Sequence, residues 1–102
     1  MKTFPESYER DGDQFHLVKR MGDVCLYSES FEDRIYAYEV FIVRKLRERR
    51  LNGKILEAME VAPSDEQWGK KGYTFRRLED AMKKFEEMCT RRQSRWVQLE
   101  FL

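Results

Sequence analysis

Apolar positions recur with period two over most of the chain and with period 3.6 near its end. From Asp13 to Arg20, Phe15, Leu17 and Val18 sit in a polar frame, and Val24-Cys25-Leu26-Tyr27 follows the turn signal Met21-Gly22-Asp23. This predicts two strands joined as a hairpin. Residues 28–34 are polar and acidic and read as a connecting loop. Ile35 to Arg44 is the strongest strand signal, dense in β-branched and aromatic residues and free of Gly and Pro. Asn52-Gly53 predicts a tight hairpin turn, because both of its positions need φ > 0. Lys54 to Val61 then returns as a fourth strand, and Pro63, which has no N–H for a ladder, ends it.

The turn also sets a register. With Asn52 and Gly53 as loop residues, Leu51 faces Lys54, Leu46 faces Met59 and Lys45 faces Glu60. One face then carries Tyr38, Val40, Ile42, Leu46, Ile55, Met59 and Val61, a core face. The other carries Glu39, Phe41, Val43, Lys45, Arg47, Arg49, Leu56 and Glu60. Antiparallel sheets commonly pack one face and leave the other mixed, and that is the expectation here.

Leu78, Ala81, Met82, Phe85, Met88 and Cys89 form a single helical stripe. The spacing predicts a helix from about Phe75 to Arg92, with Thr74 as N-cap, Glu79 and Asp80 early, and Arg91 and Arg92 late. Beyond it Val97, Leu99 and Phe101 alternate with Trp96, Gln98 and Glu100, which reads as a short strand or arm over 96–102. The expected fold is α+β: a four- to five-stranded antiparallel meander with one long C-terminal helix packed on one face. It is a single domain over 1–102, with 1–12 a loose lead-in.

A chain of 102 residues supports one such core and no large buried cavity. Charged residues make up 38%, yet the net charge is only +1, so electrostatic binding has to come from local patches. Cys25 and Cys89 fall on apolar faces and read as buried free thiols. With one histidine, His16, and no Cys-x-x-Cys, no metal site is expected. His16 has no neighbouring nucleophile or orienting acid, and there is no P-loop or dinucleotide fingerprint. No catalytic residue and no cofactor are therefore expected. No apolar run is long enough to span a membrane and no secretory leader is visible, so the expected location is cytoplasmic.

What remains is binding chemistry. Trp68-Gly69-Lys70-Lys71-Gly72 can offer a tryptophan for base stacking and Lys70 and Lys71 for phosphates; the plainer alternative folds the indole onto the core. Arg44, Lys45, Arg47, Arg49, Arg50 and Lys54 crowd the long hairpin as a basic ribbon. Solvated charges that block edge pairing are the plainer alternative, and Glu48, Glu57 and Glu60 would offset part of the charge. Arg91, Arg92 and Arg95 near Trp96 form a third candidate edge. The expected function is a non-enzymatic binding module for nucleic acid. The alternative is a small protein that binds and modulates another protein. Its interface would be Phe41 and Val43 on the mixed face, or the arm carrying Trp96, which could also make a homodimer.

Trp68-Gly69-Lys70-Lys71-Gly72, followed by Ala81 and Phe85 at helical spacing and by Thr90, Arg91 and Trp96, resembles the Trp-Gly-Arg-x-Gly signature region of the WGR domain. The match spans about residues 68–96, and lysine stands where that family has arginine. It implies a sheet-plus-helix module that contacts nucleic acid. Tyr38-Glu39-Val40, Pro63-Ser64, Gly69-Lys70, Tyr73-Thr74 and the Ala81–Phe85 helix are similar to small proteins of gut Bacteroidetes and their phages. That likeness covers most of the chain and implies a phage or mobile-element context without an activity, in which the protein bound and modulated would be a host protein. At fold level, a four-stranded meander with one C-terminal helix is also similar to the PC4-like single-strand-binding architecture.

Overall fold

The computed structural model describes the backbone of residues 1–100 and the side chains as far as Arg92. Strands β1 (Ser7–Arg10), β2 (Asp13–Met21), β3 (Val24–Phe31) and β4 (Arg34–Ile42) form an antiparallel meander. Each connection is a two-residue turn. Asp11-Gly12 and Glu32-Asp33 hold both residues at positive φ, the conformation whose twist matches that of flanking strands. The chain then leaves the sheet at Val43 as a two-stranded ribbon: β5 (Arg44–Leu46) and β6 (Arg49–Leu51) outward, β7 (Lys54–Leu56) and β8 (Met59–Val61) back. A short 3-10 turn at Asp65–Gln67 leads to β9 (Gly72–Phe75), which pairs with β4 and completes a five-stranded sheet in the order β1-β2-β3-β4-β9. Helix α1 (Leu78–Glu100) crosses β3, β4 and β9. This is the expected α+β architecture.

The ribbon register is the expected one: Leu51 opposite Lys54, Leu46 opposite Met59 and Lys45 opposite Glu60. Asn52 and Gly53 sit at φ 51° and 78°. The register runs unbroken from Arg44–Val61 to Leu51–Lys54, so β5 to β8 are one long hairpin.

Two cores sandwich the sheet. On the helix side Val24, Leu26 and Val40 meet Ala81, Phe85, Met88 and Cys89, flanked by Tyr38, Ile42, Tyr73, Phe75 and Met82. The helical stripe thus covers Tyr38, Val40 and Ile42 of the face that the sequence assigned to it, whereas Leu46, Ile55, Met59 and Val61 leave the sheet with the ribbon and stand outside this core, Ile55 being 61% exposed. The opposite face was expected to be mixed and open, and it is not. Phe15, Cys25, Tyr27, Phe41 and Val43 form a second core there, with Phe41 fully buried and Val43 only 4% exposed.

The cover on this second core is the N-terminal segment, so the expected loose lead-in is corrected to structural chain. Phe4 packs edge-on against Tyr8, Tyr27 and Phe41, with centroids 5.2–5.7 Å apart. The Tyr27 hydroxyl donates to the Pro5 carbonyl at 2.5 Å. Lys2 adds to the edge of β8, its N–H reaching Ala58 O (2.9 Å) and its carbonyl accepting from Glu60 N (2.8 Å). Apart from Phe4 with Tyr8, these contacts join residues far apart in the chain, so no local pattern announces them.

Three element boundaries also move. The expected loop at 28–34 is strand up to Phe31. Its polar residues are satisfied inside the sheet, since the Ser28 and Ser30 hydroxyls donate to the His16 and Gln14 carbonyls of β2. Thr74 is a strand residue rather than an N-cap, and the helix begins at Leu78. The strand or arm expected over 96–102 is helix as far as Glu100, while residues 101–102 lie outside the described residues. Between Cys89 and Glu100 there is no Gly or Pro to stop the helix, and extending a helix costs far less than nucleating a new element.

Candidate functional site

The loop 68–72 is built by its backbone. Gln67 O accepts the N–H groups of Lys70 (2.9 Å) and Lys71 (2.8 Å), which coils the chain after the 3-10 turn. Gly69 then takes φ 92° and its N–H reaches Gly72 O at 2.6 Å, closing the loop on itself. The Trp68 indole lies across Gly72 so closely that a Cβ there would fall 2.4 Å from the ring. The ring also packs against Phe41, with centroids 6.2 Å apart, and Nε1–H donates to Thr74 Oγ1 at 2.9 Å.

Trp68 is therefore a half-buried wall of the second core, the plainer of the two readings of its sequence context. Local pattern gave no way to see this, because the partner aromatic lies on β4. Lys70 and Lys71, in contrast, are exposed with no acidic partner among the described residues.

On the ribbon, strand alternation sorts the charges. Lys45, Arg47, Arg49 and Lys54 share one face with Leu51, whereas Arg44, Glu48, Arg50 and Glu57 lie on the other. Glu60, which could have offset the ribbon, points inward instead. It takes a bidentate pair from Arg20 (2.9 and 2.8 Å) and the Phe4 N–H (2.9 Å). The Arg20 guanidinium holds its carboxyl down to about 2. Lys45 lies 3.6 Å from Asp23, and Glu57 meets the N-terminal amine at 3.5 Å. Arg44, Arg47, Arg49, Arg50 and Lys54 are exposed and unpaired with any acid among the described residues.

The fold brings two separate sequence candidates together. Arg44 and Lys71 line one cleft with Ile42, Val43, Pro63 and one acid, Glu66, and Lys70 and Lys71 line the next with Ile42, Tyr73, Met88, Arg91 and Arg92. The result is a basic shoulder at the root of the ribbon. Arg91 is tethered by Glu87 (2.7 Å) and Arg92 by Asp23 (3.0 Å). Sequence reasoning had grouped Arg91 and Arg92 with Arg95 and Trp96. The signal for their place in this cleft was their position one helical turn after Met88, beside the core stripe. The side chains of Arg95 and Trp96 lie outside the described residues.

The host-protein interface expected at Phe41 and Val43 is corrected as well, because both side chains are interior. Several other titratable groups are built into the sheet. Glu39 is buried with one oxygen on Arg10 at 3.0 Å, and burial raises its pKa despite that cation. Tyr36 bridges the carboxylates of Asp13 and Glu29, a cluster that sequence reasoning missed because β2, β3 and β4 each supply one member. Cys25 and Cys89 are buried free thiols, with burial pushing Cys25 up to about 11. Among the described residues no group of ligands could hold a metal, and no helix is long and apolar enough to cross a membrane. No protein-family model, no curated protein and no solved structure matches the chain.

Proposed function

We propose that the protein is a non-enzymatic nucleic-acid-binding module that holds the phosphate backbone with the ribbon and its basic shoulder. The observation that carries this reading is the set of exposed cations that pair with no acid among the described residues. Arg44, Arg47, Arg49, Arg50 and Lys54 project on the ribbon while Lys70 and Lys71 stand at its root. In a chain of net charge +1, such a concentration means that the acids are spent elsewhere. Glu39 and Glu60 are tied to Arg10 and Arg20, and Asp23 to Arg92 and, at the root of the ribbon, to Lys45. Local cation density without compensating acid favours a polyanion, because each phosphate contacted releases condensed counterions. The resemblance of residues 68–96 to the WGR domain points the same way, with the lysines rather than the indole as the contacting groups.

The test is fluorescence anisotropy with labelled DNA and RNA over a salt series. Log affinity should fall linearly with log salt, and Arg47→Ala or Arg49→Ala should each reduce the slope by about 1 on duplex. Lys70→Glu with Lys71→Glu should weaken binding to every sequence alike. Absence of any anisotropy change at low salt would remove the reading.

A further inference from the structure

We infer that the nucleic acid is duplex DNA, entered by the ribbon, with Leu51 and Ile55 wedged against the base stack at its tip. This rests on the nucleic-acid reading above and adds the class of target and the mode of contact.

Leu51 and Ile55 flank the Asn52-Gly53 turn and are 55% and 61% exposed. The register puts them on opposite faces of the hairpin, Leu51 beside Lys54 and Ile55 beside Arg50. They sit among Arg49, Arg50 and Lys54, and residues 49–56 hold no acid. Apolar side chains at the acid-free tip of a cationic arm fit a partner with anionic flanks and an apolar interior. A base-paired stack between two phosphate backbones has that cross-section.

The form of nucleic acid follows from shape and from what the ribbon lacks. A two-stranded ribbon with its side chains fits a groove of B-form DNA about 12 Å wide, whereas the major groove of A-form RNA is too narrow for side chains to read. Single strands are gripped mainly by aromatic side chains on which bases stack. The ribbon has no aromatic residue from Arg44 to Val61, and Trp68 is committed to Phe41 and Thr74. Minor-groove proteins that insert apolar side chains between base steps unstack the step and bend the duplex, and a wedge carried at the ribbon tip should leave the same two signatures.

The experiment uses the full chain and a short duplex with 2-aminopurine at a central T-A step and a dye at each end. Saturation with the wild-type protein at low salt should raise 2-aminopurine fluorescence and increase energy transfer between the ends. Leu51→Ser with Ile55→Ser should abolish both changes while keeping the salt slope. Both side chains are exposed, so the variant should fold, and circular dichroism checks that it does. Saturated binding with unchanged fluorescence and transfer overturns the wedge and leaves the polyanion reading intact, as does a serine variant that unstacks as well as wild type. Binding to single strands or RNA in preference to duplex also overturns the inference alone. Absence of binding to every nucleic acid overturns both.

Discussion

Glu60 shows how much one residue's environment differs from its label. In the sequence it is one acid among ribbon cations; in the fold its side chain is 5% exposed and bound by Arg20 and the Phe4 N–H. Its folded pKa of about 2 lies below the ordinary 4.5, so the ionised form is the stabilised one. That stabilisation is fully present above pH 4.5 and is lost as pH falls from there through 2. Glu60→Gln should cost about 3 kcal/mol at pH 7, and the gap to wild type should close as pH approaches 2, read by urea denaturation across that range. Glu39 works in the opposite sense. Its raised pKa means that ionisation is disfavoured in the fold, which erodes stability as pH rises past the ordinary carboxylate value.

Among the elements, the loop 68–72 and the ribbon divide the labour. Gly72 matters because the Trp68 ring occupies the space where a Cβ would stand. Gly72→Ala should displace the indole from Phe41 and cost about 2 kcal/mol, seen as a lower Tm and a shifted tryptophan emission. In the ribbon the glycine requirement is conformational instead. Gly53 lies at φ 78° with open space around it, so Gly53→Ala should cost about 1 kcal/mol, measured by thermal unfolding. Turn, register and charge alternation of the ribbon were legible in the sequence because all three depend on neighbours across a two-residue turn. The role of Trp68 was not legible, because Phe41 and Trp68 are 27 positions apart and meet only through the pairing of β4 with β9.

At the scale of the whole molecule, the decisive feature is that the sheet is covered on both sides. The helix seals one face and the first residues seal the other, with Phe4 and Tyr8 over Tyr27, Phe41 and Phe15. Removal of residues 1–5 should therefore expose aromatic surface and destabilise the domain by about 3 kcal/mol or more, with increased binding of an apolar dye and a lower Tm. If the truncated chain keeps its stability, the second core does not depend on that cover. With the second core covered, neither Phe41 nor Val43 is open to a partner, and the proposed contact rests on the exposed cations of the ribbon and its shoulder; Phe31, Ile35 and Tyr36 are exposed elsewhere on the sheet.

By itself the sequence determined the α+β class, the helical stripe, the Asn52-Gly53 turn and the ribbon register. Those features follow from periodicity and turn chemistry, and both act over a few residues. Only tertiary structure decided that the second sheet face is a core, that Trp68 is a wall of it, and that Lys71, Arg44 and Arg92 line adjoining clefts. These facts depend on which distant segments come to lie side by side. A polar-looking strand such as Ser28-Glu29-Ser30, or an N-terminal tail such as Phe4-Pro5, shows its role only when its hydrogen-bond and packing partners are in place.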